Sequence, residues 1–224
     1  MQKNYPKEVL INGRVRVCLE LIKNIDLKGK VLVDVGCSFG WLEKEILKLT
    51  PKRIIGIDPE KNALSFAREN VRKAEFIEGS AIDIPLPDAV ADVVILYDVI
   101  EHVPKNKEFV VLTEISRILK KGGMLLFSTP NANFWSNLFD IAWYFGHRHY
   151  KVENMTKLLQ NAGFKIIQKE TRGGIWSSIY MLWFYIAKWI LGKKLPRNVF
   201  LEKMDDKMYS EGSIATLFIV AEKN

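Results

Sequence analysis

The sequence predicts an α/β fold on a mostly parallel sheet, and three observations carry that prediction. Val31-Leu-Val-Asp-Val35 and Arg53-Ile-Ile-Gly-Ile-Asp58 are near-continuous β-branched and aliphatic runs, the pattern of strands buried on both faces. Segments of helical periodicity alternate with such runs along the chain. Finally, a small-residue turn, Gly36-Cys-Ser-Phe-Gly40, follows the first run, where a parallel sheet delivers its loop to a ligand.

The turn restricts the ligand. Gly36 and Gly40 accept backbone angles closed to other residues and carry no Cβ, so a flat ligand can lie against the main chain. The dinucleotide fingerprint places glycines at the first, third and sixth turn positions, which here hold Gly36, Ser38 and Trp41. A bulky Trp41 argues against a pyrophosphate cradle, and Gly40-Trp-Leu42 offers no lysine for a phosphate. A ligand with sugar and base but no phosphate remains. Asp58 ends the second strand about twenty residues beyond the turn, the offset at which a carboxylate accepts from both ribose hydroxyls. With Pro59 in a first helical turn, Asp58 could instead be a helix cap.

Composition narrows the class. A chain of 224 residues, 48% hydrophobic, fits a single domain over 1–224 with a substantial core. Its net charge of +7 points to an anionic partner, either nucleic acid or a membrane surface. Two cysteines, Cys18 and Cys37, are too few for a disulfide framework, so a reducing, cytoplasmic setting is the default expectation. Met1-Gln-Lys-Asn-Tyr-Pro6 has no apolar core behind its charge and does not read as a signal peptide.

In chain order, Val9, Leu10, Val17, Leu21 and Ile22 predict an amphipathic helix over 7–25. Trp41 opens a second helix that Thr50-Pro51 stops, and Ala63, Leu64, Ala67 and Val71 form the face of a third. Strands are expected at 74–79 and 92–98, with Val99-Ile-Glu-His-Val-Pro104 at the carboxyl end of the latter, where ligands of open α/β sheets bind. Phe109, Leu112, Ile115, Ile118 and Leu119 make a helical stripe, ended by Lys120-Lys-Gly-Gly123 before a strand over 124–129. A helix over 151–162, a strand over 164–170 and a final strand over 213–221 complete the reading.

Five motifs stand in family order: Val33-Asp-Val-Gly-Cys-Ser-Phe-Gly40, Gly56-Ile-Asp-Pro59, Gly79-Ser-Ala-Ile82, Asp92 through Glu101-His-Val103, and Leu119-Lys-Lys-Gly-Gly123. In that order the chain resembles the class I S-adenosylmethionine-dependent methyltransferases, specifically the small-molecule branch that includes ubiquinone-biosynthesis O-methyltransferases. The resemblance implies a Rossmann-like three-layer sandwich whose seven-stranded sheet has an antiparallel last strand, with S-adenosyl-L-methionine as cofactor. It implies that Asp34, Gly36, Cys37, Ser38 and Gly40 line the methionine end, that Asp58 and Pro59 sit at the ribose, that Ser80, Ala81 and Ile82 flank the adenine, and that Tyr97 touches the cofactor. Two positions depart from the family habit: Ser38 stands where Gly is common, and Ser80 where Asp is common.

The sulfonium is an activated methyl donor, so positioning supplies much of the acceleration and a general base serves a hydroxyl acceptor. The chain has three histidines, His102, His147 and His149, all in segments expected at the carboxyl side of the sheet, and each is a candidate base. Asp98, Glu101 and His102 also resemble the ligand set of metal-using quinone methyltransferases; the reading adopted here assigns them packing and capping beside the cofactor, with no metal.

Ile175 to Leu191 is an aromatic stretch that reads as a helical insertion at about 175–195 before the last strand. At 1.5 Å per residue it is shorter than a hydrocarbon core of roughly 30 Å, and Lys188 interrupts it. With Arg172 before it and Lys193, Lys194 and Arg197 after, its composition suits an anionic membrane interface; a lid or dimer face buried in protein is the reading preferred over it. Phe134-Trp135, Leu138-Phe139 and Trp143-Tyr-Phe145 form a second aromatic group. Together they predict a small or lipid-like apolar acceptor. The fourth strand ends Tyr97-Asp-Val-Ile100 without a nucleobase-holding pattern, which argues against nucleic acid. An RNA methyltransferase and a cofactor-binding scaffold without catalysis are the competing readings.

Overall fold

A computed structural model describes residues 13–133, 146–174, 176, 199–211 and 214–224. Residues 7–12 of the expected first helix, the 134–145 aromatic group and nearly all of the 175–191 stretch lie outside the described residues.

The elements run α1 (Gly13–Lys23), β1 (Val31–Val35), α2 (Trp41–Ile46), β2 (Arg53–Asp58), α3 (Lys61–Asn70), β3 (Glu75–Glu78), β4 (Ala91–Tyr97), α4 (Glu108–Ile118), β5 (Leu119–Pro130), α5 (Val152–Asn161), β6 (Phe164–Arg172), α6 (Val199–Glu211) and β7 (Thr216–Lys223). The sheet order is β3-β2-β1-β4-β5-β7-β6; β1 to β5 pair in parallel, and β7 runs antiparallel between β5 and β6. The seven-stranded sheet with its antiparallel last strand is thus as expected.

Strand alternation divides the core in two. Val33, Val35, Ile55, Ile57, Val94 and Leu96 face α4 and α5 through Leu112, Ile115 and Leu159. Leu32, Ile54, Val93 and Ile95 face α1 and α6 through Val17, Ile22 and Tyr209. With helices on both faces the strands need no polar side, so the sequence reads as unbroken apolar runs. Each fully buried aliphatic side chain contributes roughly 1.5–3 kcal/mol.

Two local expectations differ from the structure. α4 ends at Ile118, and Lys120-Lys-Gly-Gly123 forms an irregularity inside β5: Ala91 pairs with Leu119, and regular pairing resumes at Val93 with Met124. The cause is an anchor outside the helix. Lys120 Nζ donates to Asp92 Oδ1 at 2.7 Å, while Asp92 Oδ2 accepts from the Val31 amide at 2.8 Å. Gly122, at φ +72°, supplies the turn within this bulge. The second difference is α6, a helix between β6 and β7 that hydrophobic periodicity did not reveal.

Candidate active site

At the carboxyl ends of β1 and β2 the backbone folds into a cradle. The Gly36 and Cys37 amides both donate to Ile57 O, at 2.7 and 3.1 Å, fastening the turn to β2. Gly36 has φ +93°, Ser38 +49° and Gly40 +75°, so three of five turn residues are left-handed. A Cβ on Gly36 would stand 2.3 Å from Val99 Cγ2, and one on Gly40 would stand 2.9 Å from Ala67 Cβ. Ser38 therefore occupies a conformation that glycine adopts at less cost.

Asp58 is built into this cradle. Its Oδ2 accepts from the Ser38 amide and its Oδ1 from the Glu60 amide, each at 2.9 Å. The cap of α3 is Glu60, whose side chain accepts from the Asn62 amide, so Asp58 is not a helix cap. Gly79 donates its amide to Asp58 O at 3.2 Å, which brings the Ser80 turn beside the acid. In that turn Ser80 Oγ accepts from the Ile82 amide at 3.4 Å; Ala81 is buried and Ile82 packs partly against the core. Pro59 is exposed.

Below the turn, Asp34 is buried with only 4% exposure and Glu43 with none. Burial pushes the Asp34 carboxyl up to about 7, and burial together with the Asp34 charge pushes Glu43 well above the usual range. On the α1 side, a cavity of about 190 Å³ is lined by Arg14, Cys18, Trp41, Tyr97 and Asp98 among others. Tyr97 donates its hydroxyl to Cys18 O at 3.3 Å, and Arg14 Nη1 pairs with Asp98 Oδ2 at 3.0 Å.

A second cavity, of about 630 Å³, opens beyond β4 and is lined by Glu101, His102, Val103, Lys105, Gly146, His147 and Arg148. Arg148 holds its wall: it pairs with Glu108 at 2.9 Å and donates to the carbonyls of Ile100, Val103 and Glu101. The His102 and His147 rings lie 4.9 Å apart, and His147 meets the His149 ring at 5.7 Å. Burial, then the neighbouring His147, pushes His102 below the ordinary imidazole range. Glu101 Oε2 accepts from Thr129 Oγ1 at 3.1 Å, its Oε1 lies 3.9 Å from His147 Nε2, and burial with the nearby Asp98 charge lifts it to about 8. Ligand atoms of Glu101, His102 and His147 fall within 4.8 Å of one another, close enough to share a small cation. Asp98, which the sequence placed with Glu101 and His102, is turned away to Arg14 and Ser128.

The sequence profile of a family described as a methyltransferase domain matches residues 33–127, the span from β1 to β5. The chain is 32% identical over 139 residues, 62% of its own length and 53% of the relative's, to a Mycolicibacterium smegmatis protein named "Probable S-adenosylmethionine-dependent methyltransferase". It is 36% identical over 132 residues to the ubiquinone biosynthesis O-methyltransferase of Vibrio atlanticus, covering 57% of this chain and 54% of that protein. Residues 33–127 carry a methyltransferase domain, and the chain is similar to proteins named as S-adenosylmethionine-dependent methyltransferases. It spans about half the length of these curated relatives. In fold, the chain superposes on geranyl diphosphate C-methyltransferase from Streptomyces coelicolor with a TM-score of 0.68 at 15% identity, over 94% of this chain and 79% of that one.

The turn, Asp58 and the Ser80 loop come together as the sequence reading grouped them, and His102 meets His147. His149 stands one ring further out. Sequence reasoning missed Arg14 and Glu43. A signal for Glu43 was present: it shares a helical face with Ile46 at i, i+3, and Gly56 interrupts a β-branched strand, a mark of close approach by another group.

Proposed function

We propose that this protein transfers the methyl group of S-adenosyl-L-methionine to a hydroxyl of a small or lipid-like apolar acceptor. The observation that carries the reading is the join between the Gly36–Gly40 turn and Asp58, with an imidazole pair beyond the end of the neighbouring β4. The cradle suits the cofactor: side chains are absent where Gly36 and Gly40 approach Val99 and Ala67, and each Asp58 oxygen keeps a lone pair beyond its backbone amide for a ribose hydroxyl. Gly36, Cys37, Ser38 and Gly40 would shape the methionine end above Asp34, and Ser80, Ala81 and Ile82 the adenine end. Tyr97 would form the floor near Arg14.

When bound, the sulfonium supplies an activated methyl group. The chain's own contribution is orientation and proton removal. Alignment is worth about 7–11 kcal/mol in favourable intramolecular cases, and a positioned base adds a hundred- to ten-thousand-fold. His102, held neutral at pH 7 by burial, is our assignment for that base. His147 packs against it as a positioning group, and His149 extends the polar mouth.

The apolar acceptor is supported by aromatic content in 134–145 and 175–191 and by two relatives' names, ubiquinone biosynthesis O-methyltransferase and fatty-acid O-methyltransferase. Among the described residues no helix is long and apolar enough to cross a membrane. We assign the 175–197 segment to contact with an anionic membrane surface, on its aromatic and basic composition. Replacing Trp183 and Trp189 by Glu should then abolish flotation with anionic liposomes and leave cofactor affinity intact.

The deciding experiment follows label from methyl-labelled S-adenosylmethionine into a panel of lipophilic phenols and alcohols, with bulk RNA as the contrasting acceptor. Label in the hydroxyl compounds is expected. Label in RNA alone overturns the acceptor assignment.

A further inference from the structure

Asp34 and Glu43 form a buried acid pair beneath the glycine turn. Asp34 sits on β1 in register with Gly56 of β2. Glu43 descends from the first turn of α2 with no exposure, and neither of its carboxyl oxygens has a hydrogen-bond partner. Gly56 makes the room: a Cβ there would stand 2.8 Å from Glu43 Oε1, 2.8 Å from Cys37 Sγ and 2.7 Å from Phe76 Cδ1. A glycine within a β-branched strand, a buried acid over it and a second acid beside it form one arrangement across three elements.

Among the described residues, the groups acting on the pair supply no counter-charge. Asp34 is met by the Glu43 carboxyl of α2 as a neighbour able to hydrogen-bond and by the charge of Asp58 of β2, both acids. Cys37 of the turn, Cys18 of α1 and Tyr97 of β4 also face this charge, and burial pushes all three upward, so they are neutral near pH 7. Two buried acids without a cation cannot both ionise, and the pair therefore holds at least one proton in the free protein.

We propose that Asp34 and Glu43 share a proton in the free protein and surrender it when a sulfonium enters the crevice above, so that the pair favours the charged methyl donor over its neutral thioether product. The inference rests on S-adenosylmethionine being the ligand of that crevice. In the step, a carboxyl O–H bond breaks, the proton passes to solvent, and the carboxylate left behind faces the positive charge. Transfer of the methyl group removes that charge, the carboxylate is again unbalanced, and it takes a proton back as the product leaves. Glu43 acts here as a positioning residue, through Asp34.

Difference infrared spectroscopy of the whole protein tests this directly. Addition of S-adenosylmethionine at pH 7 should bleach the carbonyl stretch of a protonated carboxyl, whereas S-adenosylhomocysteine should leave it. In calorimetry the donor's affinity should rise with pH through about 7, by at most about tenfold per unit for one whole proton, with the product's affinity changing less. Glu43→Gln should remove both signatures while donor binding persists. An unchanged carboxyl band on donor binding, or an equal bleach with donor and product, overturns the proposal in the wild-type protein, whether or not the variant folds. Absence of binding by either ligand overturns the crevice assignment as well, so the two failures are distinguishable.

Discussion

Ser38 donates its backbone amide to Asp58 Oδ2 at 2.9 Å, across twenty residues of sequence. This bond ties the left-handed apex of the glycine turn to the end of β2, so the acid and the turn backbone are set in one position.

Asp58→Ala removes that tie together with the acceptor for the Glu60 amide. Orphaning these donors should cost about 1–3 kcal/mol of stability. Cofactor affinity should fall at least about tenfold, equivalent to about 1.4 kcal/mol of lost interaction. Asp58→Asn keeps one carbonyl oxygen and should lose less on both counts. Urea unfolding and calorimetry on the same preparations separate the two effects; unchanged affinity in Asp58→Ala would remove the acid from the ribose site.

Gly36→Ala tests the cradle from its backbone side. At φ +93°, with a Cβ 2.3 Å from Val99 Cγ2, alanine meets both left-handed strain and overpacking. These cost about 1–2 and 1–3 kcal/mol respectively. Gly29, at φ +74° with open space around it, meets only the first. Urea denaturation should therefore rank Gly36→Ala well below Gly29→Ala, and equal losses would contradict the close approach of Val99.

Arg148→Lys should loosen the loop after β4. The guanidinium reaches Glu108 and three carbonyls at once, a geometry that a single ammonium cannot copy. A loss of about 1.5–3 kcal/mol is expected, with KM for the acceptor rising more than KM for the cofactor. Equal rises would place this wall outside the acceptor site.

Strands β1, β2 and β4 were legible because burial on both faces leaves them no polar alternation to confuse the reading. α6 was not, because Glu202, Lys203, Asp205, Asp206, Lys207 and Glu211 spread charge through the segment, while among its described side chains Tyr209 buries its ring against Gly13 and Asp206 pairs with Arg16. Asp58 was legible through its distance from the turn, since strand length and helix length set that interval. The meeting of His147 with Glu101 was not, because it depends on a loop forty-odd residues downstream, held by Arg148 and Tyr150 against Ile100 and Glu108. Side-chain pairing across loops carries no periodic signal.

The imidazole pair gives the remaining prediction its sign. His102 titrates below its usual range because it is buried and because positive charge on His147 opposes its own. A base must be neutral to accept a proton, so activity should be full at neutral pH and fall as pH drops through the lowered value, placing the acid limb below about 6.5. His102→Gln should reduce kcat by about a hundred- to ten-thousand-fold with KM for the cofactor little changed. His147→Gln removes the opposing charge, so the acid limb should move upward in pH while kcat at the plateau largely persists. A pH-rate profile of the three proteins decides the assignment: an acid limb that stays in place in His147→Gln, or a His102→Gln enzyme with normal kcat, moves the base elsewhere.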